Sequence, residues 1–171
     1  GINLHKWIGA PVGLGAMYVR RGRVADIDPY MGQADDGRVG SRVHTGTANF
    51  AAFLALPDAI ALHGRIGVAN KRARLLYLRI RWTVPARAMP HIELLAADDD
   101  RLGSALASFR LRGRPGKEEN IALQKRLLRE HGIFTTWRDG LASGCCVRVT
   151  PSVFTRASQL DALTQALARL Q

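Results

Sequence analysis

Followed for the rhythm of its apolar and polar positions, the chain opens with a short apolar run, Ala16-Met17-Tyr18-Val19. Arg20-Arg21-Gly22-Arg23 stops it, which predicts a strand over residues 16–20. No period holds from 24 to 46, where glycines, a proline and aspartates read as an extended surface loop. Asn49 and the threonines before it suit a helix entrance, because their side chains accept from first-turn N–H groups. The nearly all-apolar Phe50–Leu56 then predicts a buried helix, which Pro57 kinks or restarts. Residues 66–84 carry both a strand-like alternation and helical spacing. Their Ala, Arg, Leu and Lys content favours a helix that ends before Pro85.

From residue 90 the pattern is clearer. Ile92–Leu95 and Ser104–Leu111 read as strands on either side of an Asp98-Asp99-Asp100 turn. Lys117–His131 is amphipathic, with Ile121, Leu127 and Leu128 inward and Gly132 just past its end. Phe134–Trp137 and Cys145–Val149 are two more strands. Ser158-Gln159-Leu160-Asp161 fits a capping box, and Leu160, Leu163, Leu167 and Leu170 form one stripe that covers a sheet. This order makes residues 90–171 a small α+β domain. Residues 47–89 read as connecting helices, and 1–46 as the C-terminal end of a larger α/β domain. The chain starts at Gly1 directly on a dense motif, as the interior of a longer polypeptide would, so an upstream targeting signal stays open.

Charge adds one alternative. The 25 basic residues exceed the 14 acidic ones and give a net charge of +11, so nucleic acid has to be weighed. The basic residues are mostly arginines scattered among alanines and leucines, and aromatic content is 6%, which disfavours a base-stacking surface. A basic, non-catalytic module for nucleic acid or another polyanion remains the rival reading, beside a truncated and inactive relic. The two cysteines, Cys145 and Cys146, are adjacent and supply no disulfide framework, so a reducing, cytoplasmic setting is expected. No apolar stretch approaches the length of a membrane span.

Three places could carry chemistry. Lys6 lies between His5 and Trp7, ahead of Gly13-Leu14-Gly15. A neutral lysine amine condenses with an aldehyde to a Schiff base, and glycines let backbone approach a flat ligand or its phosphate. Thr47, in Gly46-Thr47-Ala48-Asn49, either caps the following helix or offers its hydroxyl to an anion. Arg148, in Val147-Arg148-Val149-Thr150-Pro151, either points to solvent or grips a carboxylate through its planar fork. Cys145 and Cys146 read as buried strand cysteines, although a cysteine nucleophile is the other use of such residues. His44 and His63 lack metal-ligand spacing, and the aspartate triplet lacks that of a calcium loop, so no metal is expected.

The string His5-Lys6-Trp7-x-Gly9-Ala10-Pro11-x-Gly13-x-Gly15-x-x-Tyr18-Val19-Arg20 resembles the cofactor-attachment signature of class V aminotransferases. These are fold-type I pyridoxal-phosphate enzymes, and the wording is most similar to their isopenicillin N epimerase-like branch. Leu4 and Ala48 stand where the family more often has a small residue and a proline. The resemblance runs to the last helix and implies only the C-terminal portion of such an enzyme. It implies pyridoxal 5'-phosphate as cofactor, attached at Lys6 and contacted by His5. Thr47 would reach the cofactor phosphate of the neighbouring subunit in a homodimer whose active sites lie at the interface. Arg148 would hold the carboxylate of an amino-acid substrate, and the reaction at its α-carbon would be transamination or epimerisation. The family's ring-nitrogen aspartate, its ring-stacking side chain and its first phosphate loop all precede the lysine.

Overall fold

The computed structural model describes residues 1–43, 46–97, 99 and 101–170. The expectations for His44, Thr45 and two of the three aspartates, Asp98 and Asp100, lie outside the described residues. The chain divides into two compact units, Gly1–Gly67 and Val68–Gln171.

In the first unit, β1 (Ile2–Asn3) pairs antiparallel with β2 (Gly15–Ala16), Ile2 opposite Ala16 and Asn3 opposite Gly15. The strand expected over 16–20 is confined to its first residue. A strand extends only as far as a neighbour supplies its hydrogen bonds, and β1 ends after two residues. The next segment is not an irregular surface loop throughout. It contains 3-10 turns at Arg21–Asp26 and Val39–Arg42 and closes on one guanidinium. The Arg42 side chain is 2% exposed and pairs with Asp35 at 2.6 Å. Its Nε donates to the carbonyls of Val24 (3.3 Å) and Ile27 (3.1 Å), and Nη1 to the Ser41 hydroxyl (2.6 Å). The rigid fan of arginine donors lets one side chain satisfy carbonyls from three turns of chain.

Two helices complete this unit, α1 (Phe50–Leu54) and α2 (Leu56–Ile66), with Pro57 in the first turn of α2 where its missing N–H costs nothing. Asn49 caps α1, its Oδ1 accepting from Ala52 N–H at 3.3 Å. The expected burial of this apolar run is corrected: Ala52 is buried, but Phe50 is 72% and Leu54 79% exposed. The small core of the unit, Ala10, Leu14 and Ala52 with Leu4, Leu56 and Ala59 against it, has room for only one side of α1.

The second unit runs α3 (Val68–Arg87), β3 (Ile92–Leu95), β4 (Ala107–Leu111), α4 (Lys117–His131), β5 (Thr136–Arg138), β6 (Cys146–Val149) and α5 (Ala157–Ala168). The strands form an antiparallel sheet in the order β3-β4-β6-β5. One face packs on the helices. Phe109, Val147 and Val149 meet Leu78 and Trp82 of α3, Leu123 and Leu127 of α4, and the expected stripe Leu160, Leu163, Leu167 and Leu170. Trp82 meets Phe109 edge to face, with ring centres 5.9 Å apart.

Three local expectations shift here and one holds. The helix of residues 66–84 continues past Pro85 to Arg87, because the proline removes a single donor in the last turn while Ala86 is held in the core. Leu128 is 43% exposed and turns outward; the buried side of α4 is Asn120, Leu123 and Leu127, the i, i+3, i+7 stripe. Gly132 ends that helix as expected, in the left-handed conformation at φ 65. The cap of α5 sits before Ser158: Arg156 is the capping residue, and its N–H donates to the Gln159 side chain at 2.9 Å.

Candidate functional site

The turn that carries Lys6 is clamped by two carbonyls. That of Leu14 accepts from Leu4 N–H and from His5 Nδ1–H, each at 3.1 Å, and that of Leu4 accepts from Ala10 N–H at 3.1 Å. A carbonyl can only accept, so Nδ1 of His5 is the donor in this bond. Gly9 and Gly13 close the turn at φ 88 and φ 97, a region that side chains with a Cβ avoid. Lys6 is exposed at the tip, and its amine forms no hydrogen bond or ion pair among the described residues. The backbone is thus fixed while the amine is uncommitted, which suits covalent attachment of an aldehyde cofactor.

Thr47 lies in the same unit, exposed, two residues before the cap of α1. Asn49 performs the capping, so the Thr47 hydroxyl is not used there.

Arg148 belongs to the second unit. Neighbours along a strand alternate faces, so Val147 and Val149 enter the core and Arg148 turns to the sheet's other side. Its cross-strand partners are Ser108 on β4 and Thr136 on β5, and these opposed side chains share its face. Nε of Arg148 is buried without a hydrogen-bond partner. Burial holds the guanidinium's proton affinity below its usual value, the nearby Arg138 lowers it further, and Cys146 partly opposes both. A half-buried guanidinium with an unpartnered Nε has the chemistry to donate to an anion. Ser108, Thr136 and Arg138 were not singled out by sequence. The alternation within β4 and β5 gave their face, but not which strand lies beside β6.

Cys146 is buried and Cys145 half-buried. Among the described residues no group of three or more His, Cys, Asp or Glu converges as a metal site. Two hollows of this unit, of about 390 and 440 Å³, lie along α4 and between α4 and α5, and neither of these is lined by Arg148.

No protein-family model matches the chain. Over 97% of its length it is 25% identical to isopenicillin N epimerase of Streptomyces clavuligerus, of which it covers 45%. Among solved structures it is similar to a cystine C–S lyase in complex with cysteine persulfide, with TM-score 0.73 and 23% identity over 98% of this chain and 45% of that one. Another structure of that lyase holds glycine covalently linked to its PLP cofactor. A cysteine desulfurase from Escherichia coli superposes with TM-score 0.74 at 20% identity, over 95% of this chain and 43% of that one. The chain has the fold of the C-terminal part of a fold-type I pyridoxal-phosphate enzyme. This bears out the resemblance to class V aminotransferases and their isopenicillin N epimerase-like branch. The chain spans about 45% of the length of the epimerase and lyase it matches. No single helix among the described residues is long and apolar enough to cross a membrane.

Proposed function

We propose that this chain forms the C-terminal part of a pyridoxal-phosphate-dependent enzyme that acts at the α-carbon of an amino acid, as a transaminase or an epimerase. The observation that carries the reading is Lys6, an uncommitted amine on a turn held rigid by the Leu14 and Leu4 carbonyls. Pyridoxal phosphate, when bound, supplies an electron sink for charge developing at the substrate α-carbon. The chain supplies the rest. Lys6 Nζ would hold that group and would serve as the base and acid that moves the substrate α-proton. Arg148 binds the substrate carboxylate with a bidentate fork and so orients the Cα–H bond. The Thr47 hydroxyl would donate to the cofactor phosphate, which we assign to the neighbouring subunit of a homodimer. His5 borders the cofactor and stiffens the turn through its bond to Leu14.

Transamination and epimerisation both begin with loss of the α-proton, so the residues named serve either outcome. A desulfurase reading finds less support, because Cys146 is buried in a strand and Cys145 stands beside it, where a mobile sulfur nucleophile is not expected. The two free thiols suit a cytoplasmic setting.

The test is cofactor attachment in the full protein. Borohydride reduction followed by peptide mass mapping should place a pyridoxyl group on Lys6, and Lys6→Ala should lose both the adduct and the visible absorbance band. A variant with an unchanged cofactor spectrum overturns the assignment.

A further inference from the structure

The sheet face that carries Arg148 holds more positive charge than its carboxylates can balance. Arg110, Arg138 and Arg148 share it by register, and the carboxylate paired there among the described residues is Glu93. Glu93 is consumed. Its two oxygens accept from Arg110 Nε at 2.8 Å and Nη2 at 2.7 Å, and Arg110 Nη1 donates to the Ser143 carbonyl. Neither Arg138 nor Arg148 forms an ion pair with any described carboxylate. That includes Asp139, the residue beside Arg138 in sequence.

Arg138 stands two residues beyond Thr136 on β5, and Thr136 is directly opposite Arg148. The two arginines are therefore diagonal neighbours on one face, with Cα atoms about 7–8 Å apart by sheet geometry. Like charges at that spacing repel unless an anion lies between or beside them. The two differ in setting. Arg148 is half-buried with an orphan Nε, flanked in its own row by the Ser108 and Thr136 hydroxyls. Arg138 is exposed at the rim and, among the described residues, donates to the Trp137 carbonyl through Nη1 at 2.9 Å. An anion at Arg148 would find further donors in the Ser108 and Thr136 hydroxyls of that row. The outer guanidinium remains for a second anionic group.

We infer that Arg138 is a specificity-determining residue for an amino-acid substrate with an acidic side chain: Arg148 takes the α-carboxylate and Arg138 the distal carboxylate. This rests on the assignment of Arg148 to the substrate carboxylate. A short dicarboxylate can bridge diagonal neighbours, and a neutral amide in its distal position forfeits the charge-assisted bond.

Calorimetric titration of the full protein with unreactive acids separates the two ideas. Glutarate and succinate probe both arginines, and butyrate and valerate probe the inner one. Wild type should bind the dicarboxylates more tightly. Arg138→Gln should weaken them roughly 10- to 100-fold, the range for a hydrogen bond to a charged group, and leave the monocarboxylates within about 2-fold. Arg138→Lys should recover part of the loss through its charge. Arg148→Gln should weaken all four acids. Equal affinity for mono- and dicarboxylates in wild type, or an equal loss of both in Arg138→Gln, overturns the role of Arg138. Monocarboxylate binding that survives Arg148→Gln overturns the assignment of Arg148 instead.

Discussion

The second unit buries large aromatic and aliphatic side chains in a core of its own, whereas the core of the first buries only Ala10, Leu14 and Ala52 outright. Trp82, Phe109, Leu127 and Leu167 are fully buried in one core, while Phe50, Leu54, Tyr18 and Met31 stand largely in solvent. The first unit keeps its shape by other means. Carbonyls clamp the Lys6 turn, and Arg42 gathers the segment from Val24 to Ser41. The second unit is held by area removed from water, the first by hydrogen bonds to a few well-placed atoms. Lys6, the proposed attachment point, lies on the unit with the smaller core.

Four substitutions test this contrast. The largest effect is expected at Trp82, where truncation to alanine removes a fully buried ring and its contact with Phe109. The loss should be about 3–5 kcal/mol in urea unfolding, against about 0.5 kcal/mol or less for Phe50→Ala. Comparable losses at the two sites would erase the distinction between the units.

The second effect concerns Glu93, whose bond to Arg110 is the main cause holding its carboxyl below the usual glutamate range, with burial opposing. The folded pKa is thus lower than the unfolded one. The bond contributes fully above the unfolded value, about 4.3, and is lost as pH falls through the folded value. Glu93→Gln should cost about 1–3 kcal/mol at neutral pH, because it leaves the 7%-exposed Arg110 side chain short of its anion. It should also flatten the acid limb of the stability profile below about pH 4. An acid limb that keeps its slope in the variant removes the pair from the account.

The smallest effect on global stability is expected from Arg42→Gln, since its bonds tie one surface segment to itself. Residues 24–42 should become sensitive to limited proteolysis while the melting of the second unit stays unchanged. Unaltered protease resistance would show that the guanidinium is not what closes the segment.

Legibility follows the same division. In the second unit the α4 boundaries and the leucine stripe of α5 were readable, because an amphipathic helix repeats its signal every turn over residues that are close in sequence. The capping box of α5 was misplaced by two residues, since several side chains near a helix start can serve as the acceptor. In the first unit, prediction leaned on propensity with little period behind it. Phe50–Leu56 read as buried from its apolar content, yet burial depends on what is available to cover it. Of the candidate site, Lys6, Thr47 and Arg148 were found through resemblance, and their residue types suit the chemistry. The neighbours of Arg148 were out of reach.

What the sequence determined by itself is local: which segments are helical, which strand residues alternate, where glycine permits the Lys6 turn, and the family that the His5–Arg20 string resembles. The tertiary structure decided who stands beside whom. Ser108 and Thr136 flank Arg148 from strands well separated in the chain, and Arg138 joins them by a register that no local pattern encodes. The same is true of Arg42, whose partners lie as far back as Val24. Periodicity is a short-range consequence of backbone geometry. Pairing of distant strands and the choice of a buried guanidinium's partners are settled by the free energy of the whole fold.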